Sequence, residues 1–360
     1  MKFTQRLLSV ALVGAALAYS AMSAPAQAGY YDGKTVRLIV GLAPGGTADT
    51  LTRAFATVWE KQIGGKVQFV VENMPGGGGT KALNFVYRAK PDGFTLQFGP
   101  WGPVTEVLGD PALQAKHGKF EFVGGLTDIR VNYVRTEVVP GGMKKASDIM
   151  RAENMKLGGN NATGISDLFG RMMFDVLGVK YGYVTGFGGG SEIFAAIARN
   201  EIQAHNTSIS SFRSRSADMV SKGQAIGVAY ATFVRPDGTY DRNPEVKEMP
   251  AFPDLYKEIH GKMPTGPKWD AFNWFVGLVG DMAYTALAPA GTPKAALEEL
   301  RAGFQAGCKD KAFVGPLIKR FGIAHDCVSV QEGQRIIKSI DEVKPEVLAS
   351  FKQMIKDVEK

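Results

Sequence analysis

The hydrophobic pattern of the chain alternates between short strand-like runs and stretches with helical spacing. Residues 35–40 form a run rich in β-branched residues, and over 49–63 apolar residues recur every three or four positions. Two more strands, at 67–71 and 94–98, enclose a helical segment at 82–89. Strands that alternate with helices at this spacing predict parallel β-α-β crossovers, and therefore an α/β fold.

A second series with the same alternation begins after residue 122, and it is followed by an irregular segment at 234–267 that is rich in Pro, Asp and Lys. Two such series predict two domains. The strands of the second series are predicted at 131–134, 155–158, 181–184, 202–205 and 225–230, and its helices are predicted at 165–177 and 192–199. Amphipathic helices are predicted near the C-terminus at 294–307 and 331–357.

The N-terminal residues have the pattern of a secretory signal peptide. Lys2 and Arg6 precede an apolar run at 7–18, and Ala26-Gln27-Ala28 supplies the small residues of a cleavage site. The run of about 12 residues is short for a membrane anchor, which is the alternative interpretation. The pattern predicts a signal peptide at 1–28 and a periplasmic protein that begins near Gly29.

The net charge says little about the partner. The chain has 42 Lys and Arg against 35 Asp and Glu, a formal charge of +7, and removal of the signal's two basic residues leaves 40 − 35 = +5. No block of basic residues is interleaved with aromatic residues, which argues against a nucleic-acid partner.

The two cysteines, Cys308 and Cys327, are predicted to form a disulfide, because both remain in a chain exported to an oxidising compartment. Two separate buried thiols are the alternative. The four histidines show no spacing typical of a metal site, and neither Gly-x-Ser-x-Gly nor His-Glu-x-x-His occurs. We therefore expect no metal, no cofactor and no catalysis.

Four segments carry a resemblance to a known family. They are Val-Arg-Leu-Ile-Val at 36–40 with Ala-Pro-Gly-Gly at 43–46 and Asp49, Val-Glu-Asn-Met-Pro-Gly-Gly-Gly-Gly at 71–79, Lys-Pro-Asp-Gly-Phe-Thr-Leu at 90–96, and Ala-Pro-Ala-Gly-Thr-Pro at 288–293. In this order after a signal peptide, they resemble the extracytoplasmic receptors of tripartite tricarboxylate transporters, the Bug-type periplasmic binding proteins. The segments at 234–267 and 279–287 are longer than is usual in that family.

The resemblance implies a two-lobed type II periplasmic binding protein with a hinge between the lobes, the Venus-flytrap architecture. Lobe 1 would comprise 29–126 and 231–360, including the C-terminal helices, and lobe 2 would comprise 127–230. Such a protein would be a monomer that captures a small di-, tri- or aromatic carboxylate and presents it to the membrane subunits of a transporter. Delivery to a signalling partner and an exported enzyme acting on a small acid are the alternatives.

In that family, backbone amides of two opposed loops hold the carboxylate, and these loops match 42–47 and 160–165. Free N–H groups at helix N-termini favour anions, and glycine lets a ligand approach the backbone closely. Asp49 is expected to be a helix-capping or hinge residue rather than a contact of an anionic ligand. The candidate ligand-binding residues are Leu42, Ala43, Gly45, Gly46, Thr47, Trp101, Asn160, Thr163, Gly164, Ile165, Phe187, Ser191, Asn206 and Thr207.

Overall fold

The structure is a computed structural model that describes residues 29–45, 47–64, 66–279, 282–321 and 325–357. The predicted signal peptide and Gly46 lie outside the described residues. Within these ranges, no helix combines the length and the apolar character that crossing a bilayer requires.

Eleven strands form two separate sheets in the described part of the chain. They are β1 (Thr35–Val40), β2 (Gln68–Asn73), β3 (Thr95–Pro100), β4 (Glu121–Leu126), β5 (Arg130–Arg135), β6 (Lys156–Gly158), β7 (Gly182–Val184), β8 (Ala204–Ser208), β9 (Ala225–Tyr230), β10 (Tyr284–Ala288) and β11 (Cys327–Val328). The first sheet has the order β11-β4-β10-β3-β1-β2, and the second has the order β7-β6-β8-β5-β9.

The described residues also form α-helices. They are α1 (Thr47–Ile63), α2 (Thr80–Tyr87), α3 (Val104–Val107), α4 (Ile165–Leu177), α5 (Gly190–Ala198), α6 (Ile209–Arg215), α7 (Ala217–Ser221), α8 (Phe252–His260), α9 (Pro267–Val279), α10 (Lys294–Gly307), α11 (Lys311–Phe321), α12 (Val330–Lys338) and α13 (Pro345–Lys356).

The first sheet confirms the α/β prediction. Strand β1 pairs in parallel with β2 and β3, as the predicted crossovers require, and β10 is inserted antiparallel between β3 and β4. On one face, Phe55 and Trp59 of α1 pack against Phe304 of α10 with ring centroids 4.6 and 5.2 Å apart. This aromatic core joins α1 and α10 into one layer on the sheet.

The segment that returns from the second sheet contains two helices. Helix α8 lies inside the stretch predicted to be irregular, and α9 follows it. Phe275 of α9 packs on Phe169 of α4 at 4.8 Å and on Phe351 of α13 at 5.5 Å. Part of the segment assigned to lobe 1 therefore packs on a helix of the second sheet, and the division at residues 126/127 and 230/231 stays a proposal.

The C-terminal region contains two helices rather than the single helix predicted at 331–357. The 331–357 stretch is broken into α12 and α13, because Pro345 can occupy the first turn of a helix but not its interior. Helix α11 was not predicted. The structure joins Cys308, at the end of α10, to Cys327 in β11, with the Cα atoms 5.9 Å apart.

Candidate functional site

The sheets meet at an edge formed by the ends of several strands. Strand β4 ends at Leu126, and β5 begins at Arg130. Since β1 and β3 run in the same direction as β4, their carboxyl ends lie at the same edge as Leu126. The carboxyl ends of β6 and β8 lie in the same way at the edge where β5 begins. We call the space between these two edges the cleft, the position where open α/β sheets bind ligands.

The first loop of the cleft follows β1 and comprises residues 41–46. Gly45 has a φ of +77°, a backbone conformation that favours glycine, and its N–H donates to Asp49 Oδ2 at 2.9 Å. Burial of Asp49 opposes its ionisation, but the hydrogen bonds from Arg53 and Gly45 hold the pKa of its carboxyl below the usual range. Asp49 therefore folds the loop, as expected for a capping residue. Leu42 and Ala43 are exposed, and their N–H groups donate to no group among the described residues.

A cavity of about 100 Å³ lies beside this loop, between the first sheet and the N-terminus of α2. Trp101 lines it, but the side chain is almost fully buried and Nε1 donates to the carbonyl of Leu278 at 2.9 Å. His117 also lines the cavity, with Nδ1 2.6 Å from Glu106 Oε2. Trp101 thus belongs both to the core and to the cavity wall.

The second loop follows β6, comprises residues 159–164 and ends at the N-terminus of α4. It wraps around the buried carboxylate of Asp167, which accepts a hydrogen bond from the Tyr183 hydroxyl. Burial raises the pKa of Asp167 to about 6, although Tyr183, Arg171 and the Asn161 backbone oppose the shift. A Cβ on Gly159 would lie 1.5 Å from Asp167 Oδ1, so the loop closes this tightly only with glycine there.

The two loops share one construction. Asp49 is the third residue of α1 and Asp167 the third of α4, and each is followed four positions later by an arginine, Arg53 or Arg171. Arg53 pairs with Asp49 at 2.9 Å, whereas Arg171 donates to the carbonyl of Ala162 in the loop. Each helix thus presents an N-terminal loop that its own side chains hold in shape.

The other predicted residues of this lobe hold loops together. Asn160 Nδ2 donates to the carbonyl of Phe187 at 2.8 Å, which joins the second loop to the glycine-rich turn before α5. The Thr163 hydroxyl donates to Asn161 Oδ1 at 3.2 Å, and Ser191 Oγ accepts from Arg215 at 2.8 Å. Gly164 precedes the first residue of α4, Ile165. The loop residues Leu42, Ala43 and Gly45 on one side and Asn160–Ile165 on the other thus lie at the cleft edges.

Asn206 and Thr207 do not follow a strand, because β8 extends to Ser208 rather than ending at residue 205. Asn206 is fully buried beneath α4, and its Nδ2 donates to Asn132 Oδ1 at 2.8 Å. The prediction that these two residues follow the strand is wrong, since they are among its last three residues. The reason is that the polar sequence His-Asn-Thr-Ser continues the strand by pairing with β5.

Sequence reasoning missed two residues at the cleft edge. Arg130 begins β5, and its Nη1 donates to Ser166 Oγ in the first turn of α4 at 2.9 Å. Asp167 was also missed. Both α1 and α4 have an aspartate at their third position and an arginine four residues later, and this repeated pattern could have indicated the role of Asp167.

Comparisons with known proteins agree with this architecture. No protein-family model matches the chain. It is 32% identical over 154 residues to the UPF0065 protein in the TAR-I ttuE-ttuC′ intergenic region of Agrobacterium vitis, covering 42% of this chain and 44% of that protein. It is 33% identical over 91 residues to protein BugT of Bordetella pertussis, covering 25% and 27%. The chain thus matches less than half the length of these curated relatives.

Solved structures match over most of the chain. The periplasmic binding protein BugD has a TM-score of 0.62 at 19% identity and covers 89% of this chain and 97% of its own. MatC from Rhodopseudomonas palustris with bound malate has a TM-score of 0.61 at 19% identity, covering 89% and 98%. Another protein of that organism, with adipate, has a TM-score of 0.63 at 18% identity, covering 90% and 97%. These likenesses establish the two-lobed fold of periplasmic binding proteins. The resemblance to the Bug-type receptors is therefore confirmed, in sequence over part of the chain and in fold over most of it.

Proposed function

We propose that this protein is a periplasmic solute-binding receptor that captures a small organic carboxylate for a tripartite tricarboxylate-type transporter. The observation that carries the proposal is the matched pair of loops at the cleft edges, 41–46 before α1 and 159–164 before α4. In each, an aspartate in the first turn of the helix shapes the loop. A ligand that enters the cleft then meets a helix N-terminus from each lobe.

The position of the loops supports their acting on one ligand. Strand β1 lies three places from β4 in the first sheet, and β6 lies two places from β5 in the second. Both loops therefore lie a few strands away from the segment that joins β4 to β5. Helix N-termini carry about half a positive charge and unpaired N–H groups, which favour a carboxylate. The open N–H groups of Leu42 and Ala43 add donors on the first side.

The neighbours support a carboxylic acid as the ligand class, because one of them binds malate and another adipate. Relatives named as binding proteins also favour capture over catalysis. Export by the N-terminal signal, a monomeric state and hand-over to membrane subunits complete the proposal.

A thermal-shift panel tests the proposal. Mono-, di- and tricarboxylic acids, including malate and adipate, are compared with sugars and divalent cations at equal ionic strength. A ligand that binds only the folded state raises the melting temperature, so at least one acid should do so. If a sugar or a cation raised it and no acid did, the carboxylate assignment would fail.

A substitution in the first loop tests the site. Gly46→Val adds a side chain where the ligand should approach the backbone, so we expect loss of acid binding with the fold retained. Gly182→Val is the matched control, because Gly182 is exposed in β7, where valine suits a strand and a Cβ would come no nearer than 3.9 Å to a neighbouring atom. Undiminished binding by Gly46→Val would remove the first loop from the site.

A further inference from the structure

Arg130 lies at the hinge end of the cleft and forms no ion pair with the other residues that the structure describes. It is the first residue of β5, four positions after the last residue of β4, so it lies where the chain enters the second sheet. Its side chain is half-buried. Among the described residues, no carboxylate lies within 4 Å of its guanidinium, and its hydrogen bond is to the neutral hydroxyl of Ser166.

Two other arginines, in contrast, form ion pairs with carboxylates. Arg135, at the far end of the same strand, contacts Glu137 at 3.1 Å, and Arg53 contacts Asp49 at 2.9 Å. A guanidinium has five N–H donors, of which Arg130 uses one on Ser166. A partly desolvated cation with open donors attracts an anion.

The surroundings of Arg130 belong to both sides of the cleft. Ser166 directly follows Ile165, the last residue of the second predicted ligand loop, so the guanidinium is adjacent to that loop. On the first sheet, Tyr284 begins β10 at the cleft edge. Burial and the charge of Asp128 raise the pKa of Tyr284, and the charge of Arg130 opposes this rise. The electrostatic influence of Arg130 therefore reaches the opposite lobe.

We propose that Arg130, with the Ser166 hydroxyl beside it, binds the second carboxylate of a dicarboxylic acid whose first carboxylate lies between the two loops. The inference rests on the proposed function and narrows the ligand class to dianions. A guanidinium fork fits the two oxygens of a carboxylate, whereas the loops provide only neutral N–H groups. The receptor should accordingly prefer a diacid over the monoacid of equal chain length.

Calorimetric titration with matched acids tests the inference. Succinate is paired with butyrate and adipate with hexanoate, so that each pair differs by one carboxylate. The wild type should bind the diacid more tightly in at least one pair. Arg130→Gln should weaken diacid binding about 10- to 100-fold, the range of a charge-assisted hydrogen bond, and leave monoacid binding nearly unchanged.

Two further variants make the result interpretable. Arg199→Gln removes the same charge at the end of α5 remote from the cleft, where Arg199 pairs with Glu201, and should leave all four affinities unchanged. Arg130→Met keeps the apolar stem of the side chain and replaces Arg130→Gln if that variant does not fold. It should show the same selective loss.

The outcomes separate the inference from the function. If the wild type binds diacids and Arg130→Gln binds them equally well, or loses diacids and monoacids to the same extent, the second-carboxylate role is wrong while the receptor function stands. The same holds if the wild type prefers monoacids. If the wild type binds no carboxylic acid at all, the proposed function fails and this inference fails with it.

Discussion

Asp49 and Asp167 occupy equivalent positions in two helices and accept hydrogen bonds from the loops that precede them. Their negative charges lie near a site proposed for an anion, and the fold answers each charge in a different way. Asp49 is neutralised by an ion pair with Arg53, whereas Asp167 is buried and ionises less readily. The loops thus gain their shape from carboxylates: Asp49 is paired with Arg53, and Asp167, with a pKa of about 6, still carries most of its charge at pH 7.

Replacement of Asp167 by Asn should change the pH dependence of stability. The pKa of Asp167 is raised from 3.8 to about 6 in the folded protein. The stability due to its neutral form is fully present below pH 4 and is lost as the pH rises through 6. The variant should therefore become more stable than the wild type with rising pH, by a difference that grows toward about 3 kcal/mol above pH 7.

Urea unfolding between pH 4 and 8 measures this difference. Asp218→Asn, an exposed carboxylate on α7, serves as the control for the same chemical change. A difference between Asp167→Asn and the wild type that stays constant over this pH range would show that Asp167 is not perturbed by burial.

Gly41 of the first loop packs tightly against Gly79, the residue before α2. A Cβ there would lie 2.8 Å from the Cα of Gly79, and backbone cannot move aside as a side chain can. Gly41→Ala should therefore destabilise the protein by about 1–3 kcal/mol, the usual cost of overpacking. Gly102→Ala is the control, since Gly102 lines the same cavity and a Cβ there meets no atom within 4 Å. Equal melting temperatures for the two variants would contradict this packing.

At the scale of single residues, the sequence predicts turns better than it predicts contacts between side chains that are distant in the chain. The Pro-Gly-Gly turn predicts the loop at 41–46 because glycine conformations are local. The importance of Arg130 depends on Ser166, 36 residues away, and on the lack of a carboxylate within 4 Å of its guanidinium among the described residues, and neither is visible in a linear pattern. Asn206 was misplaced because a strand's end depends on its pairing partner, here β5.

Among the elements, β1, α4, β9 and α10 coincide with their predictions, because each has an uninterrupted apolar period. Helix α8 escaped prediction because the segment around it is rich in Pro and charged residues. Its own pattern is clear once its limits are known: Pro253 lies in the first turn and Gly261 ends the helix in a left-handed conformation.

The disulfide should stabilise the short strand β11 against β4. It joins residues 19 positions apart, and closure of a loop of this size is worth about 3 kcal/mol by the chain-entropy estimate. Replacement of both Cys308 and Cys327 by Ser should lower the free energy of unfolding by about this amount, measured by urea titration.

Wild-type protein unfolded in the presence of reductant should match the double-serine variant. Titration of the denatured, unreduced wild type should detect no free thiol. Two reactive thiols in that experiment would mean that the bridge does not form.

For the whole molecule, eight of the eleven described strands follow the predicted order, whereas β4, β10 and β11 of the first sheet were not predicted. The packing of α9 and α13 on α4 could not be predicted, because it depends on which apolar faces meet in three dimensions. This packing links the C-terminal helices to the lobe that contains the second loop. Movement of the lobes must therefore either carry these helices along or slide them over α4.

The central claim is that one carboxylate ligand engages a loop from each lobe. Hydrogen–deuterium exchange, with and without the acid that gives the largest thermal shift, tests it most directly. Exchange should slow on binding in both 42–47 and 159–166, with little change at the surface helix α7. Protection confined to one of these loops, or found elsewhere in the chain, would contradict it.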